Sequence, residues 1–379
     1  MENADATSGG VVEDVAGARA APGRSEPAQV TIHENTIPRF VEQQLAVLYE
    51  SVYCTLARLR IYEPLLNVST YVARTGDTIK AVFLFTQERD EIKVLNQQIT
   101  IGAGEIRRFA EAVFSRYSSA QLISFYAIDA TLDRLPFPLQ KYPALEENIL
   151  FLPATTDEYW ASMSANFRGI LRRAERRMKK DFRSFHHRIL SNTEVSEDIV
   201  REIIRMAGER MAVKQKKAYI GEQDLGNLMR LIRAHGYVGV ASVDGKLCGG
   251  SVWYWVGRRN FLHIIAHDPR YDHYKLGNLT LLMGVLDWIE RGGRECWLMG
   301  GGYAHKSKFQ AVTTHLDSLV IYRSRLALLL HYRRACAVAA KSLTRRVRNG
   351  VRARARGEGL GGRFFMLCLA VGRSLKRLR

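Results

Sequence analysis

The sequence predicts an α+β protein: two tandem copies of one unit, each a mixed, mostly antiparallel sheet flanked by helices, with a basic helical tail. Three observations predict it. Apolar residues recur at helical spacing in some segments and alternate between tight turns in others. The order helix, three strands, helix, strand occurs twice. The length of 379 residues exceeds one ordinary domain and suits two with tails. Two unrelated α+β domains would show the same order, and that alternative stays open at this level.

The first unit spans residues 31–150. From Arg39 to Tyr62 the residues Phe40, Leu45, Leu48, Val52, Leu56 and Leu59 recur every three or four positions, predicting one helix bounded by Pro64. Thr70–Arg74, Ile79–Thr86 and Ile92–Thr100 form a meander about the Gly76-Asp77 turn and the polar Glu88–Glu91 break. A helix follows at Glu105–Tyr117, then an apolar strand at Leu122–Ile128. The second unit spans residues 151–322. Asp157–Asp181 predicts a strongly basic helix, and Ser196–Val213 and Glu222–His235 two more. A second meander, Tyr237–Val243, Lys246–Val256 and Asn260–His267, turns first at Asp244-Gly245. The helix Leu276–Arg291 ends at Gly292-Gly293, and the strand Glu295–Met299 leads into Gly300-Gly301-Gly302. Residues 1–30 read as a disordered lead-in, rich in small and polar side chains.

The net charge of +18 is unevenly placed. Residues 323–379 hold sixteen Lys and Arg against one acid, Glu358, so the basic character belongs to the tail. Five scattered cysteines without a CxxC spacing argue against a disulfide framework or a zinc site and fit a reducing compartment. No basic start followed by an apolar run marks a signal peptide, and no apolar run nears the roughly 20 residues of a spanning helix. The expected location is cytoplasmic.

One junction has the chemistry of an anion site. His267–Leu279, HDPRYDHYKLGNL, joins a strand to a helix whose first turn contains Gly277. Such a junction offers unpaired N–H groups and a helix dipole to a pyrophosphate, and a glycine lets phosphate near the backbone. Arg270 and Lys275 add charge. A plain strand-to-helix loop reads the same way piece by piece.

Three stretches together resemble the acyltransferases of the GNAT superfamily, and within them the CelD/BcsL-like branch associated with cellulose and exopolysaccharide synthesis. They are NFRGILRRAERRMKKDF at Asn166–Phe182, DPRYDHYKLGNLTLL after His267, and GGGYAHKSKF at Gly300–Phe309. The related FemAB-like proteins carry two such halves in tandem, so the resemblance implies two GNAT-like domains, the first without a catalytic site. It implies acyl-CoA, in particular acetyl-CoA, as co-substrate and no metal. Tyr274, Lys275, Leu276, Gly277 and Asn278 would hold the cofactor, with Lys306 after the glycines. The chain has Lys275-Leu276 where the family has Ser-Pro, and it splits the family's Tyr-Lys pair into Tyr303, His305 and Lys306.

Acyl transfer needs a base for the acceptor, an acid for the departing thiolate, and alignment of the two substrates. His267 or Asp268 is the expected base, and the resemblance implies Tyr303 as the acid. His263 and His267, four apart on a strand, are expected on one face. His263 and His305 are placed with the substrate, although a core histidine at 263 and an aromatic anchor at 303 fit the residues equally. Arg168 and Arg172 on the basic helix form a solvated face, an anion site for a sugar-phosphate or lipid-phosphate acceptor, or a nucleic-acid surface. The tail, with Phe364–Val371 between basic stretches, suits an anionic membrane surface. The function expected is acyl transfer to an envelope polysaccharide, sugar or lipid-linked sugar at the inner membrane face. Its rivals are an aminoacyl-tRNA-dependent transferase and a non-catalytic accessory of envelope assembly.

Overall fold

The computed structural model describes residues 28–343, apart from 133–134, 214, 216–217, 301–303 and 341, with backbone alone at 304–305. The first run of elements is β1 (Gln29–His33), α1 (Val41–Tyr49), α2 (Leu56–Tyr62), β2 (Ser69–Thr75), β3 (Thr78–Glu88), β4 (Glu91–Val94), α3 (Ala103–Arg116), β5 (Leu122–Ile128) and β6 (Leu139–Phe151). Two helices follow, α4 (Thr156–Ser162) and α5 (Ala165–Asp181). The second run is β7 (His186–Leu190), α6 (Glu197–Val213), α7 (Leu225–His235), β8 (Gly236–Val243), β9 (Lys246–Val256), β10 (Arg259–His267), α8 (Leu276–Glu290), β11 (Glu295–Trp297), α9 (Ala304–Lys308) and β12 (Val312–Tyr322), before α10 (Arg325–Leu330).

The strands form one 12-stranded sheet in the order β1-β2-β3-β4-β5-β12-β6-β11-β10-β9-β8-β7. Read inward from its two ends, the order matches β1 with β7, β2 with β8, β3 with β9, β4 with β10 and β5 with β11. In each half the fourth and fifth of these strands run parallel, joined by α3 or α8, and the other pairs are antiparallel. The repeat seen in the element order is thus a repeat of topology. The centre departs from a simple tandem, because β12 pairs with β5 and β6 pairs with β11. Each half is completed by a strand from the other run, and the two exchanged strands pair with each other from Val312↔Ile149 to Ile321↔Leu139. The sheet therefore runs unbroken through the boundary expected at 150–151.

Several expected elements are divided by side chains that cap the backbone. The helix expected over Arg39–Tyr62 breaks at Glu50, which is left-handed. Ser51 accepts from the Tyr53 amide and Thr55 from the Arg58 amide, so a 3-10 turn and a new helix start there. Ser164 likewise caps α5 through the Phe167 amide and separates it from α4. The strand expected to reach Thr100 stops at Val94, because the Asn96 side chain takes over the exposed groups of β3: its Oδ1 accepts from Leu84 N and its Nδ2 donates to Val82 O. Most of the expected lead-in, residues 1–27, lies outside the described residues, and its last part is ordered instead, since Gln29–His33 pair with β2 as an edge strand.

Apolar contacts define what each face of the sheet meets. In the first half Tyr71, Phe83, Phe109 and Phe125 pack ring against ring at 5.0–5.7 Å. In the second half one face packs on α6 and α7 through Val200, Ile203, Leu228 and Ile232, with Ile149 and Leu316 of the exchanged strands. The opposite face packs on α4, α5 and α8 through Tyr159, Leu171, Leu282 and Val285. These two faces define the two sides of the site.

Candidate functional site

β10 and β11 pair only over Arg259–Phe261 and Glu295–Trp297. Beyond them β10 continues to His267, while the chain after Trp297 is drawn toward β6. The Leu298 amide donates to Asn148 O at 2.8 Å, and Asn148 Nδ2 donates to Met299 O at 2.9 Å. Two parallel strands that part in this way leave the edge of β10 beyond Phe261 without a strand partner. Lys306 fixes the turn on the other side: its Nζ donates to the carbonyls of Leu298 (2.8 Å), Met299 (2.8 Å) and Gly300 (3.2 Å). The three ammonium protons match three carbonyls, so Lys306 organises the turn. Gly300 is required here, since a Cβ would lie 2.6 Å from Glu146 O.

On the α8 side, a 3-10 turn at Pro269–Tyr274 leads into the helix. Asp268 caps it, accepting from Arg270 N at 2.9 Å, Arg270 Nε at 2.9 Å and Arg270 Nη2 at 2.6 Å. That guanidinium holds the Asp268 carboxyl below its usual range, so both oxygens are committed and the group is a poor base. Lys275 is left-handed (φ 56°), and α8 begins with no side-chain cap and no acid in its first turn. Lys275 O accepts from the Asn278 and Leu279 amides. Among the described residues the amides of Leu276 and Gly277 are taken by no backbone carbonyl, at the uncompensated positive end of a 15-residue helix. Lys275 is exposed beside them. These residues fit an anionic diphosphate.

The role expected of Gly277 changes. Its missing Cβ makes room for His267, because a Cβ would lie 2.8 Å from Cε1 and Nδ1 of that ring. His267 is 6% exposed and its Nε2 meets Asp272 Oδ1 at 2.6 Å. It holds the loop against α8. Tyr274 is also inward: its hydroxyl donates to Asp181 Oδ2 at 2.7 Å and its ring meets Phe182 at 5.6 Å, tying the loop to the end of α5.

His263 and His267 do not share a face. A bulge between Leu262 and Ile264 inserts one residue opposite β9 and reverses the alternation. His267 stays with α8, while His263 lies beside Tyr254 at 5.1 Å on the α6–α7 face. Burial pushes the His263 pKa down to about 4, so the ring is neutral. Arg168 is occupied as well, its Nη1 donating to the carbonyls of Trp160, Ala161 and Met163 at the end of α4. Arg172 lies over the Trp160 ring at 5.3 Å and is exposed. Tyr303 lies outside the described residues, as does the side chain of His305. Among the described residues no cluster of three His, Cys, Asp or Glu could hold a metal.

The structure adds a residue that the sequence reading passed over. Glu147 sits on β6, on the α6–α7 face with Leu145 and Ile149, and is 7% exposed. Burial raises its carboxyl to about 7, against the opposing pull of the Lys306 ammonium. Burial in turn lowers Lys306 to about 8. Burial, and after it the Glu147 charge, raise the phenol of Tyr53, whose ring meets Phe261, the last β10 residue paired with β11, at 5.9 Å. A carboxylate poised near neutrality therefore flanks the opening of the strands. The signal for it lay in LEENILF, two acids within an apolar strand, only one of which can face solvent.

Residues 165–307 match the model of the acetyltransferase (GNAT) domain. The matched segment covers the basic helix, the second meander, α8 and the turn after β11, and the likeness is to an acyltransferase domain. Over 79% of this chain and 99% of the other, the structure resembles that of FemX, with 8% identity and a TM-score of 0.54, a likeness of fold. L-PGS from Bacillus licheniformis aligns at 14% identity over 79% of this chain and 95% of its own, with a TM-score of 0.46. A tandem GNAT protein from the clavulanic acid biosynthesis pathway aligns at 14% identity over 77% and 98%, with a TM-score of 0.39. No curated protein matches the chain in sequence.

Proposed function

We propose that this chain transfers an acyl group, in the simplest case acetyl, from an acyl-CoA to an amine or hydroxyl of an envelope polysaccharide or amino-sugar intermediate at the inner membrane face. The observation that carries the reading is the parting of β10 and β11 beside the uncapped start of α8, inside the segment that matches the acetyltransferase domain. The amides of Leu276 and Gly277 and the Lys275 ammonium hold the diphosphate. The first half lacks the parting, since the chain after β4 stays bonded to β5 and its extension through Gln98 N to Ala127 O, Asp129 N to Ile99 O and Ile101 N to Asp129 O.

The donor, when bound, supplies the acyl group as a thioester with a thiolate as leaving group. Glu147 takes the acceptor's proton as the new bond to the carbonyl carbon forms and the carbon–sulfur bond breaks. A base near neutrality suits that step, whereas Asp268 is tied to Arg270 and His267 to the loop. Tyr303 keeps the role of returning a proton to the thiolate.

Thermal unfolding with CoA and acetyl-CoA tests the donor. At a hundred times its Kd, a ligand of the native state adds about 2.7 kcal/mol, read as a higher Tm. An unchanged Tm at millimolar CoA removes the acyl-CoA assignment. A second donor, an aminoacyl-tRNA, is favoured by the exposed Arg172, Arg173, Arg176, Arg177 and Lys180 on α5 beside the loop. Salt-sensitive tRNA binding without a CoA shift selects it, and a protein that answers neither is an accessory.

No helix among the described residues is long and apolar enough to cross a membrane. Surface attachment rests on α10, where Leu326, Leu329 and Leu330 are 65–69% exposed beside exposed Arg325 and Arg333. The tail beyond residue 343 lies outside the described residues. Anionic liposomes are expected to sediment the full chain and not a chain ending at Tyr322. Equal sedimentation removes the membrane part of the proposal.

A further inference from the structure

On the α6–α7 face, between the two halves, lies a cavity of about 180 Å³. Arg58 and Tyr62 of α2 and Tyr53 line it from the first half, and Tyr254, His263 and Asp224 from the second. Two of its polar groups are buried without a hydrogen bond among the described residues, Tyr254 Oη and Arg58 Nη1. Tyr254 is 2% exposed. Leaving such a group unsatisfied costs about 1–3 kcal/mol, so two in one cavity call for a ligand that satisfies both. The Arg58 guanidinium stands over the rings of Tyr53 (4.7 Å) and Tyr62 (5.1 Å) and has no carboxylate partner among the described residues. Asp224, the acid of the lining, has its Oδ2 engaged by the Gly221 amide at 2.9 Å. The aromatic walls accept the flat apolar face of a sugar ring. Tyr53 joins this cavity to the reacting region, since its ring meets Phe261 and feels the charge of Glu147.

We propose that this cavity is the acceptor subsite and that it selects an acceptor carrying a carboxylate, a sugar acid in place of a neutral sugar. The carboxylate meets Arg58 and accepts a hydrogen bond from the Tyr254 hydroxyl, while ring hydroxyls face Asp224 and neutral His263. The inference deepens the proposed acyl transfer and rests on it for the word acceptor, but the binding it asserts does not need the donor.

The test is calorimetric titration of the full chain, without CoA, with 2-amino-2-deoxyglucuronic acid and with glucosamine, which differ at the carboxylate. The acid is expected to bind at least about tenfold tighter, the loss of one charge-assisted contact of about 1.5–3 kcal/mol. Arg58→Gln is expected to erase that preference while leaving the CoA-induced rise in Tm as it is in the parent chain. Equal binding of the two compounds by the parent chain, or binding of neither, overturns the proposal. So does a preference that survives Arg58→Gln. Where that variant fails to fold, Tyr254→Phe removes only the hydroxyl and is expected to weaken the acid about fivefold or more; unchanged binding overturns it equally. Acid binding without a CoA shift leaves this subsite and removes the donor, and the reverse result does the opposite.

Discussion

Glu147→Gln is expected to lower kcat by about 10²–10⁴-fold, the range of a lost general base, with little change in the concentration of acyl-CoA needed for half-saturation. The substitution keeps the shape of the side chain and removes its capacity to take a proton. In the parent chain the rate is expected to rise with pH through about 7, where Glu147 ionises, and the variant is expected to lose that limb. Misfolding is separable by its sign. A carboxyl whose folded pKa lies above the usual 4.5 binds its proton more tightly in the fold. Its stabilising contribution is complete below about 4.5 and is lost as pH rises through about 7. Relative to the parent, Glu147→Gln is therefore expected to gain stability between pH 5 and pH 8. A variant that stays folded at pH 8 with unchanged kcat takes Glu147 out of the mechanism.

Lys306→Met is expected to cost about 1.5–3 kcal/mol of stability, the scale for removing a charged donor from buried carbonyls. Lys306 is 7% exposed and its ammonium serves three carbonyls at once. Methionine fills a similar volume but takes the Lys306 donor from Leu298 and Gly300, leaves Met299 with Asn148 Nδ2 alone, and leaves Glu147 without its nearby cation. Glu147 then has burial unopposed, so its pKa is expected to move above its parent position, carrying the pH–rate limb with it. Urea denaturation at pH 8 reads the loss as a lower midpoint at equal slope. A shift under about 1 kcal/mol would mean that water, not Lys306, satisfies that turn.

Much of the fold was legible because its signals are local. Both meanders turn at glycines with positive φ, Gly76 and Gly245, and both parallel-strand crossovers carry amphipathic or apolar helices. What was not legible depends on partners far away in the chain. β6 and β12 pair across more than 150 positions, and β6 contains Pro143, Glu146 and Glu147, which hide its alternation. Glu147 was missed with its strand, since only the pairing decides which of two adjacent acids turns inward. The histidine pair was placed on one face because a bulge leaves no mark in residue type. The loop after β10 was located correctly in the chain, yet its tyrosine, histidine and aspartate hold structure, and its amides and Lys275 are what remain for a ligand. The basic helix was found, but which arginines were spent on α4 and on Trp160 needed coordinates.

The mirror order of strands about the β6–β12 pair is that of a two-fold homodimer in which each subunit lends its last strand to its twin. Fused into one polypeptide, such a pair can no longer dissociate, and each copy becomes free to diverge. The two halves of this chain differ where such twins would match: the parallel strands part beside α8 and stay bonded beside α3. The loan of strands also keeps the copies inseparable. Cut at residues 152–154, either fragment keeps a strand made for the other and exposes a bare edge where its own closing strand is missing. Both fragments produced together should reassemble, and neither should be stable alone.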